Sequence, residues 1–252
     1  GARFIEDFRD DVLGKLRSLS SKTDTAVRQA LFEVFGPSGL NLLKDGSDPD
    51  TIVDLDDIKL VSTVDDVYFE MHLGQSLTAL SIPIDFDIGL PALGLDVNGN
   101  VTAKLGWDFL FGFGVSRSDG VYFNTAAKDS AGNTAPELVV DLDVTIPGLS
   151  AQGNLLFLQL LARDDPAAPS RLSGRFTIDL NDPRGDDNRL SFSELANGPN
   201  FNDIIHASFT AVADVNLKTE ISFGANAAFP RILADFHLDW SFNNANPGDS
   251  LT

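Results

Sequence analysis

The chain has 252 residues and a mass of 27.1 kDa, which is enough for one large domain or two small ones with a buried core. Its hydrophobic content of 43% argues against a disordered chain, and no apolar run reaches the roughly 18 residues of a transmembrane helix. The net charge of −19 argues against nucleic acid or an anionic bilayer as a partner, and we expect no membrane insertion.

Aspartate dominates the acidic residues, with 31 Asp against 6 Glu. Asp bonds its own backbone in turns and is a common loop ligand for Ca²⁺. The absence of cysteine excludes disulfides, thiolate metal sites and cysteine nucleophiles, and only three histidines are present as transition-metal ligands. The composition is therefore typical of an acidic, secreted domain that tolerates Ca²⁺.

The N-terminal segment has the spacing of amphipathic helices. Apolar residues at steps of three and four predict a first helix from Phe4 to Leu19 and a second from Ala26 to Phe35, which Gly36-Pro37 ends. We interpret both helices as a cover for a sheet. A detachable membrane-binding helix is the alternative, and the acidic polar face of the first helix argues against it.

From about residue 51 the apolar residues alternate with a period of two, which predicts strands. The segments Asn98-Gly99-Asn100 and Ser118-Asp119-Gly120 predict tight hairpins, and short turns between consecutive strands indicate an antiparallel meander. The predicted fold class is α+β, mostly β: a long curved antiparallel sheet, as a meander or half-barrel, covered by two N-terminal helices. The candidate strands are 51–62, 66–74, 77–88, 94–104, 107–116, 120–126, 137–146, 150–163, 171–180, 204–214, 216–224 and 231–242.

Residues 1–252 are predicted to form a single domain. It consists of a helical segment at 1–44 and antiparallel β structure at 45–252, with an EF-hand-like insertion near 179–195. Loops rich in Asn, Gly and Ser-Pro elements are interpreted as parts of this domain and not as linkers.

Two segments of the predicted sheet resemble each other. Residues 85–95 (DFDIGLPALGL) and 141–151 (DLDVTIPGLSA) both follow the pattern Asp-φ-Asp-φ-x-φ-Pro-x-Leu, where φ is apolar. Pro91 and Pro147 are expected to end their strands or to mark an edge. A duplicated strand-turn unit explains the similarity, and convergent amphipathic strands are the alternative.

The segment DLNDPRGDDNRLSFSEL at 179–195 contains the strongest candidate metal site. If Glu194 is the twelfth position of an EF-hand-type loop, Arg189 supplies the seventh-position carbonyl and Asp187 is the fifth ligand. Asn188 then falls at the sixth position, where a positive φ is needed and Asn is the best residue after Gly. These are the oxygen donors that Ca²⁺ requires, at about 2.3–2.6 Å.

The first half of this loop departs from the EF-hand pattern. Positions one and three fall on Pro183 and Gly185, so Asp179 and Asn181 must serve as the first two ligands, with extra residues looping out. The alternative is an Asx-rich turn before a short helix, in which Ser191 and Glu194 form a capping box.

A weaker second Ca²⁺ site is predicted at 45–57 (DGSDPDTIVDLDD). With Asp57 at position twelve, the other carboxylates fall at positions three, five and nine. The alternative is a solvated connection between helix and sheet. The candidate ligands are Asp48, Asp50, Asp54 and Asp57.

No catalytic site is predicted, because hydrolase, zinc-protease, phosphate-loop and dinucleotide motifs are all absent from the sequence. Gly112-Phe113-Gly114 lies in an aromatic strand and indicates a bulge or close packing. The three histidines are interpreted as wall or surface residues. The Asp pairs of the two similar segments could serve glycoside chemistry, but solvent-facing Asp ladders are the simpler interpretation.

Aromatic residues at spacing two line two of the predicted strands. Core packing is the simpler interpretation, and an apolar groove for a lipid or a partner's peptide is the alternative. The candidate groove residues are Trp107, Phe109, Phe111, Phe113, Phe236 and Trp240.

Most of the chain, from about residue 26 to 197, resembles modules that recur in very large secreted bacterial proteins. Those proteins typically combine cadherin-like, Calx-β-like and RTX-type Ca²⁺-binding repeats. The resemblance implies an extracellular structural or adhesive module and not an enzyme. It rests on the segments ALFEVFGPSGLNLL, SIPIDFDIGLPALGLDVNGNV, LVVDLDVTIPGLSA and GDDNRLSFSELA.

The predicted function is that of a Ca²⁺-stabilised, non-catalytic module of a large extracellular surface, adhesin or filament protein. Its expected partners are neighbouring modules of the same or identical chains, in a homo-oligomer or filament. The alternative function is binding of an apolar ligand, a lipid or peptide, in a β half-barrel.

Overall fold

The computed structural model describes residues 23–46, 51–90, 93–129, 132–155, 158–185, 187–196, 200–223 and 230–244. The predicted fold class is confirmed, because these residues form a mostly β, antiparallel structure with three short α-helices. The first predicted helix lies outside the described residues. The helices are α1 (Asp24–Phe35), α2 (Phe192–Ala196) and α3 (Phe201–Ile204).

Eleven strands and one 3-10 helix, Leu55–Asp57, complete the described structure. The strands are β1 (Ile58–Ser62), β2 (Asp66–Leu90), β3 (Leu93–Ser116), β4 (Gly120–Asn124), β5 (Leu138–Thr145), β6 (Ser150–Leu155), β7 (Leu158–Asp164), β8 (Arg171–Leu180), β9 (Arg189–Ser191), β10 (Ile205–Phe223) and β11 (Ile232–Asn243).

The strands pair in the order β1-β2-β3-β5-β8-β10-β7-β6. Strand β11 pairs with β10, and β4 lies between β3 and β9. Strand β6 pairs with β7 and also with β3, so the path returns to its third strand.

Several predicted strand breaks are wrong, because β2, β3 and β10 each run through two candidate strands. Gly74, which suggests a break in β2, lies against another strand. A Cβ atom there would be 2.7 Å from the carbonyl oxygen of Trp107. The glycine therefore permits a close approach of two backbones and does not mark a turn.

The hairpin predicted at Asn98-Gly99-Asn100 is also wrong. Strand β3 continues through it, and Asn98 pairs with Ser150 of β6. A Cβ atom at Gly99 would lie 3.2 Å from the Cα of Leu149, so this glycine again admits a neighbouring chain. The hairpin predicted at Ser118-Asp119-Gly120 is confirmed: β3 and β4 pair across it, and Gly120 has a φ of 69°.

The chain divides into two compact units, each built from three segments. Unit 1 comprises Gly1–Gln75, Trp107–Val139 and Thr177–Ala207, and unit 2 comprises Ser76–Gly106, Val140–Phe176 and Ser208–Thr252. The single domain expected from the sequence stays a prediction, and the two units are described separately below.

The core of unit 1 forms where α1 packs on the first strands of the sheet. Leu31 and Phe35 lie one turn apart on α1 and are almost fully buried. Arg28 fixes the helix to the sheet, since its Nε donates to the carbonyl oxygen of Ile58 at 2.6 Å. The buried cluster consists of Leu31, Phe35, Leu42, Leu43, Ile58, Phe69, Met71 and Leu73.

Local sequence explains the limits of α1. The Oγ1 atom of Thr23 accepts the backbone N–H of Ala26 and caps the first turn. At the other end the N–H of Gly36 donates to the carbonyl oxygen of Phe32, and the chain leaves the helix in an extended conformation. The predicted end at Gly36-Pro37 is thus confirmed.

In unit 2, strands β10 and β11 form an amphipathic ribbon. Val215 pairs with Leu238 and Ala213 with Trp240, while the intervening pair is Asp214 with Asp239. Since alternate residues of a strand point to opposite faces, one face of the ribbon is apolar and the other is polar.

Candidate functional site

The predicted Ca²⁺ segment connects β8 to α2 in unit 1. Asp179 is the penultimate residue of β8, and Asn181 follows that strand. The backbone N–H of Asn181 donates to the carbonyl oxygen of Ile204 at 2.7 Å, and its side-chain nitrogen lies 2.7 Å from Nδ1 of His206. These contacts anchor the start of the loop to the end of α3 and the start of β10.

A tight turn occupies the middle of the segment and is organised by Asp182, which sequence reasoning did not select. Its two carboxylate oxygens accept the backbone N–H groups of Arg184, Asp187 and Asn188 at 2.7, 3.2 and 3.2 Å. Asn188 has a φ of 58°, the left-handed conformation that an EF-hand loop requires at its sixth position. Asp187 in turn accepts the N–H of Arg189 at 3.0 Å.

Glu194 is buried at the end of the segment and closes a capping box on α2. Its Oε2 accepts both the backbone N–H and the hydroxyl of Ser191, at 2.8 and 2.9 Å, and its own N–H donates to the Ser191 hydroxyl. Its Oε1 lies 3.6 Å from Nε of Arg184. The capping box named as an alternative is therefore present, and Ca²⁺ binding at Glu194 stays a prediction.

The side chain of Arg189 links three parts of unit 1. The sequence predicts a role only for the carbonyl oxygen of this residue. Its guanidinium donates to Asp66 at 2.9 Å and to Asp119 at 3.2 Å. It also lies 4.2 Å above the ring of Tyr122, whose hydroxyl donates to Asp66. One cation thus joins two carboxylates and an aromatic face.

Two tyrosines stack beside this network because two glycines make room for them. The rings of Tyr68 and Tyr122 are parallel within 1°, with centroids 6.4 Å apart. A Cβ atom at Gly112 would lie 2.5 Å from the Tyr68 hydroxyl, and one at Gly114 would lie 2.5 Å from the Tyr122 ring. The close packing predicted for Gly112-Phe113-Gly114 is confirmed.

The polar network lines a cavity of about 340 Å³ in unit 1. Burial, and then the hydrogen bond to Glu70, raise the pKa of Tyr68, so its hydroxyl stays protonated and donates to Glu70 at 2.6 Å. Asn124 donates to the same hydroxyl at 2.9 Å. These hydrogen bonds join neighbouring strands of unit 1.

The weaker Ca²⁺ loop is described at residues 45–46 and 51–57, and two of its candidate ligands, Asp48 and Asp50, lie outside the described residues. Asp57 is buried, and its two oxygens accept the backbone N–H groups of Gly46 at 3.0 Å and Asp54 at 2.8 Å. Asp54 accepts the N–H of Asp56. The pair forms a capping box on the 3-10 helix, and Ca²⁺ binding at this loop stays a prediction.

The candidate groove residues occur in both units. In unit 1 the four residues of β3 pack against the core cluster, and the rings of Phe109, Phe111 and Phe113 stack at 5.2 Å between successive centroids. In unit 2, Phe236 and Trp240 lie on the apolar face of β11, where Trp240 stacks on Phe242. The packing against the core supports the simpler interpretation for Trp107, Phe109, Phe111 and Phe113.

A buried carboxyl group that the sequence did not single out lies beneath the start of the Ca²⁺ segment. Glu137 is 3% exposed, and its Oε2 accepts the N–H of Leu180 at 2.6 Å. Burial raises the pKa of Glu137, and the nearby charge of Asp179 raises it further. In the sequence, this buried carboxyl group is indicated only by a single Glu directly before an apolar strand.

Each histidine has its own polar partners. His72 lies 3.0 Å from Asp108, and burial lowers the pKa of His72 below its usual value.

In unit 2, Asp214, His237 and Asp239 form a cluster of side chains that could hold a metal ion, with ligand atoms within 4.8 Å of one another. It is the one such group in the part of the chain that the structure describes. In the sequence, residues 214 and 216 and residues 237 and 239 are polar residues at spacing two. They predict a cluster only once the register between β10 and β11 is known.

The Asp pair of the second repeated segment is neutralised across the sheet. Asp141 lies 3.5 Å from Arg175, and Asp143 forms an ion pair with Arg171, both arginines being on β8. The side chains of the first pair, at 85 and 87, lie outside what the structure describes. The Asp ladder expected at 141–143 is thus an ion-paired one.

No protein-family model matches the chain, and no curated protein is significantly similar to it. Among the described residues, no helix has both the length and the apolar character needed to cross a membrane.

Proposed function

We propose that the chain is a non-catalytic structural or adhesive module of a large secreted bacterial surface or filament protein, stabilised by Ca²⁺ at the 179–194 segment. The acidic, Asp-rich composition and the resemblance to modules of Ca²⁺-binding surface proteins support this function. The polar groups in the cavity of unit 1 are engaged with one another, as expected of a structural protein.

The turn from Asp182 to Asn188 is the observation that carries the proposal. It sets Asn188 in the left-handed conformation, and the short strand β9 and helix α2 follow at once. This order places Glu194 in the first turn of a helix, six residues after the sharp turn, as in an EF-hand loop. Among the described residues, Asp187 and Asp182 are the nearest carboxylates in the chain on the N-terminal side of Asn188.

Ca²⁺ would stabilise the module by neutralising these carboxylates and by ordering the loop between β8 and α2. Glu194 would exchange its contacts with Ser191 and Arg184 for the ion, so part of the binding energy offsets the lost cap. An ion that binds only the folded state stabilises it by about 2.7 kcal/mol at a concentration 100 times its dissociation constant.

Thermal unfolding in EDTA, in excess Ca²⁺ and in Mg²⁺ at equal ionic strength tests the proposal. We expect a Ca²⁺-selective rise in the unfolding midpoint of the native protein, which disappears in Glu194→Ala. Mg²⁺ should have little effect, because it demands octahedral geometry and gives up its water reluctantly.

Ser191→Ala is the matched control, because it removes the cap on α2 without removing a proposed ligand. It should cost about 1 kcal/mol in EDTA and no more than that in Ca²⁺, where Glu194 has already left the Ser191 hydroxyl, so the Ca²⁺ increment should be at least as large as in the native protein. An unchanged midpoint in the native protein, or an equal increment in Glu194→Ala, would contradict Ca²⁺ binding at this segment.

We further propose that neighbouring copies associate through exposed strands of unit 2. Leu80 and Ile82 on β2 are 68% and 60% exposed, and Leu233 on β11 is 74% exposed. Exposed aliphatic residues on strands favour strand-to-strand association.

Light scattering in millimolar Ca²⁺ tests this association. The measured mass should increase with protein concentration, and it should stay lower in a variant that carries both Leu80→Lys and Leu233→Lys. A monomer at every concentration would contradict assembly by this domain.

A further inference from the structure

The polar face of the β10–β11 ribbon carries four side chains with metal-ligand chemistry in two adjacent cross-strand pairs. Asp214 pairs with Asp239, and Asn216 pairs with His237. Residues two apart on a strand share a face, so the two pairs form a square on one side of the ribbon. We propose that Asp214, His237 and Asp239 bind a divalent transition metal ion of the Zn²⁺ type, with Asn216 as a supporting group.

The four side chains are gathered around the His237 ring, with Asp239 at one ring nitrogen and Asn216 and Asp214 at the other. Nε2 of His237 lies 2.7 Å from Oδ2 of Asp239, while Nδ1 lies 2.5 Å from the side-chain oxygen of Asn216 and 3.6 Å from Oδ1 of Asp214. Asn216 also donates to Asp214 at 2.7 Å. A ring nitrogen and two carboxylates are thus gathered within 4.8 Å.

Binding of an ion requires these hydrogen-bonded side chains to take the spacing of an occupied site. A tetrahedral zinc ion with ligands at about 2.0–2.2 Å holds its ligand atoms about 3.3–3.6 Å apart. His237 and Asp239 are exposed, so side-chain rotation can bring one ring nitrogen and one oxygen of each carboxylate to that spacing. Three protein ligands and one open position are the arrangement of many zinc sites.

The placement of like charges gives a physical reason for an ion at this point. Two carboxylates directly opposite each other across a strand pair are destabilising unless a cation lies between them. Two pairs farther along the same face, Lys218 lies opposite Asp235, 2.9 Å from it and 3.1 Å from Asp165. Beside the Asp214–Asp239 pair the neighbouring group is His237, and imidazole is a common metal ligand.

Imidazole with carboxylates selects against Ca²⁺, which takes six to eight oxygen ligands. The site is therefore chemically distinct from the Ca²⁺ segment of unit 1, and it does not depend on the function proposed above. On the opposite, apolar face of the ribbon the cross-strand pairs Ala213–Trp240 and Val215–Leu238 lie beside the site in the ladder.

Isothermal titration of the untagged chain with Zn²⁺, in excess Ca²⁺ and physiological salt, tests the site. Excess Ca²⁺ fills oxygen-only sites, and salt screens general attraction to the acidic surface. We expect one Zn²⁺ per chain, with affinity reduced about 100-fold or more in His237→Gln, since loss of even an outer-shell partner costs about 10–100-fold. In ¹⁵N spectra of the histidine side chains, Zn²⁺ should move the ring signals that His237→Gln removes.

Asp235→Asn is the matched control, because Asp235 lies on the same face of β11 but pairs with Lys218. It should leave Zn²⁺ affinity unchanged, while Asp214→Asn should lower it. Near-ultraviolet circular dichroism establishes that each variant is folded. The proposal is overturned if no Zn²⁺ binds at millimolar concentration, or if His237→Gln and Asp235→Asn bind it as the native chain does.

Discussion

Replacing Phe35 with alanine should lower the free energy of unfolding of unit 1 by about 3–5 kcal/mol, the usual cost of truncating a buried aromatic residue. Phe35 is 1% exposed and lies at the end of α1, against Leu31 and the strands beneath the helix. The loss combines the transfer energy of the ring with the cavity that it leaves. Urea unfolding followed by fluorescence measures it, in a Trp240→Phe background where Trp107 reports on unit 1 alone.

Phe201→Ala provides a matched control within the same unit. Phe201 is 69% exposed at the start of α3, so removing its ring should change the free energy of unfolding by no more than about 0.5 kcal/mol. If the two substitutions had equal effects, α1 would not form the core of unit 1 as described.

The period-two pattern predicts which residues form strands better than it predicts where strands end. Gly74 and Gly99 resemble breaks in sequence, yet β2 and β3 pass through them. Both glycines admit a neighbouring backbone, at Trp107 and at Leu149. A single sequence does not distinguish a glycine that turns the chain from one that lets another strand approach, because the second role depends on the partner.

The contacts of the candidate site are of two kinds: local ones, which the sequence predicts, and ones between residues far apart in the chain, which it does not. The capping box of Ser191 and Glu194 spans three residues and follows from sequence alone. The bond between Arg189 and Asp66 joins residues 123 positions apart, and the Asp214–Asp239 pair depends on the β10–β11 register. Contacts of this kind require the topology, so sequence analysis could identify the Asp-rich loop but not the side chains gathered around it.

Arg189→Ala should destabilise unit 1 by about 2–3 kcal/mol, between the cost of breaking a buried ion pair and that of breaking an exposed one. The Arg189 side chain is 28% exposed, and its partners Asp66 and Asp119 are 23% and 25% exposed. Removal of the guanidinium leaves two half-buried carboxylates facing each other and uncovers the Tyr122 ring. The same urea unfolding measurement, in the Trp240→Phe background, reports the change.

Two further variants separate geometry from charge. Arg189→Lys keeps the positive charge but not the planar fork that reaches both carboxylates, so it should recover only part of the loss. Arg117→Ala breaks an ion pair with Asp65 whose side chains are 75% and 72% exposed, and it should cost less than about 1 kcal/mol. Raising the salt concentration should weaken the Arg117 pair more than the Arg189 network, because buried charges are screened less. Equal losses for Arg189→Ala and Arg117→Ala would show that the Arg189 network stabilises unit 1 no more than an exposed ion pair does.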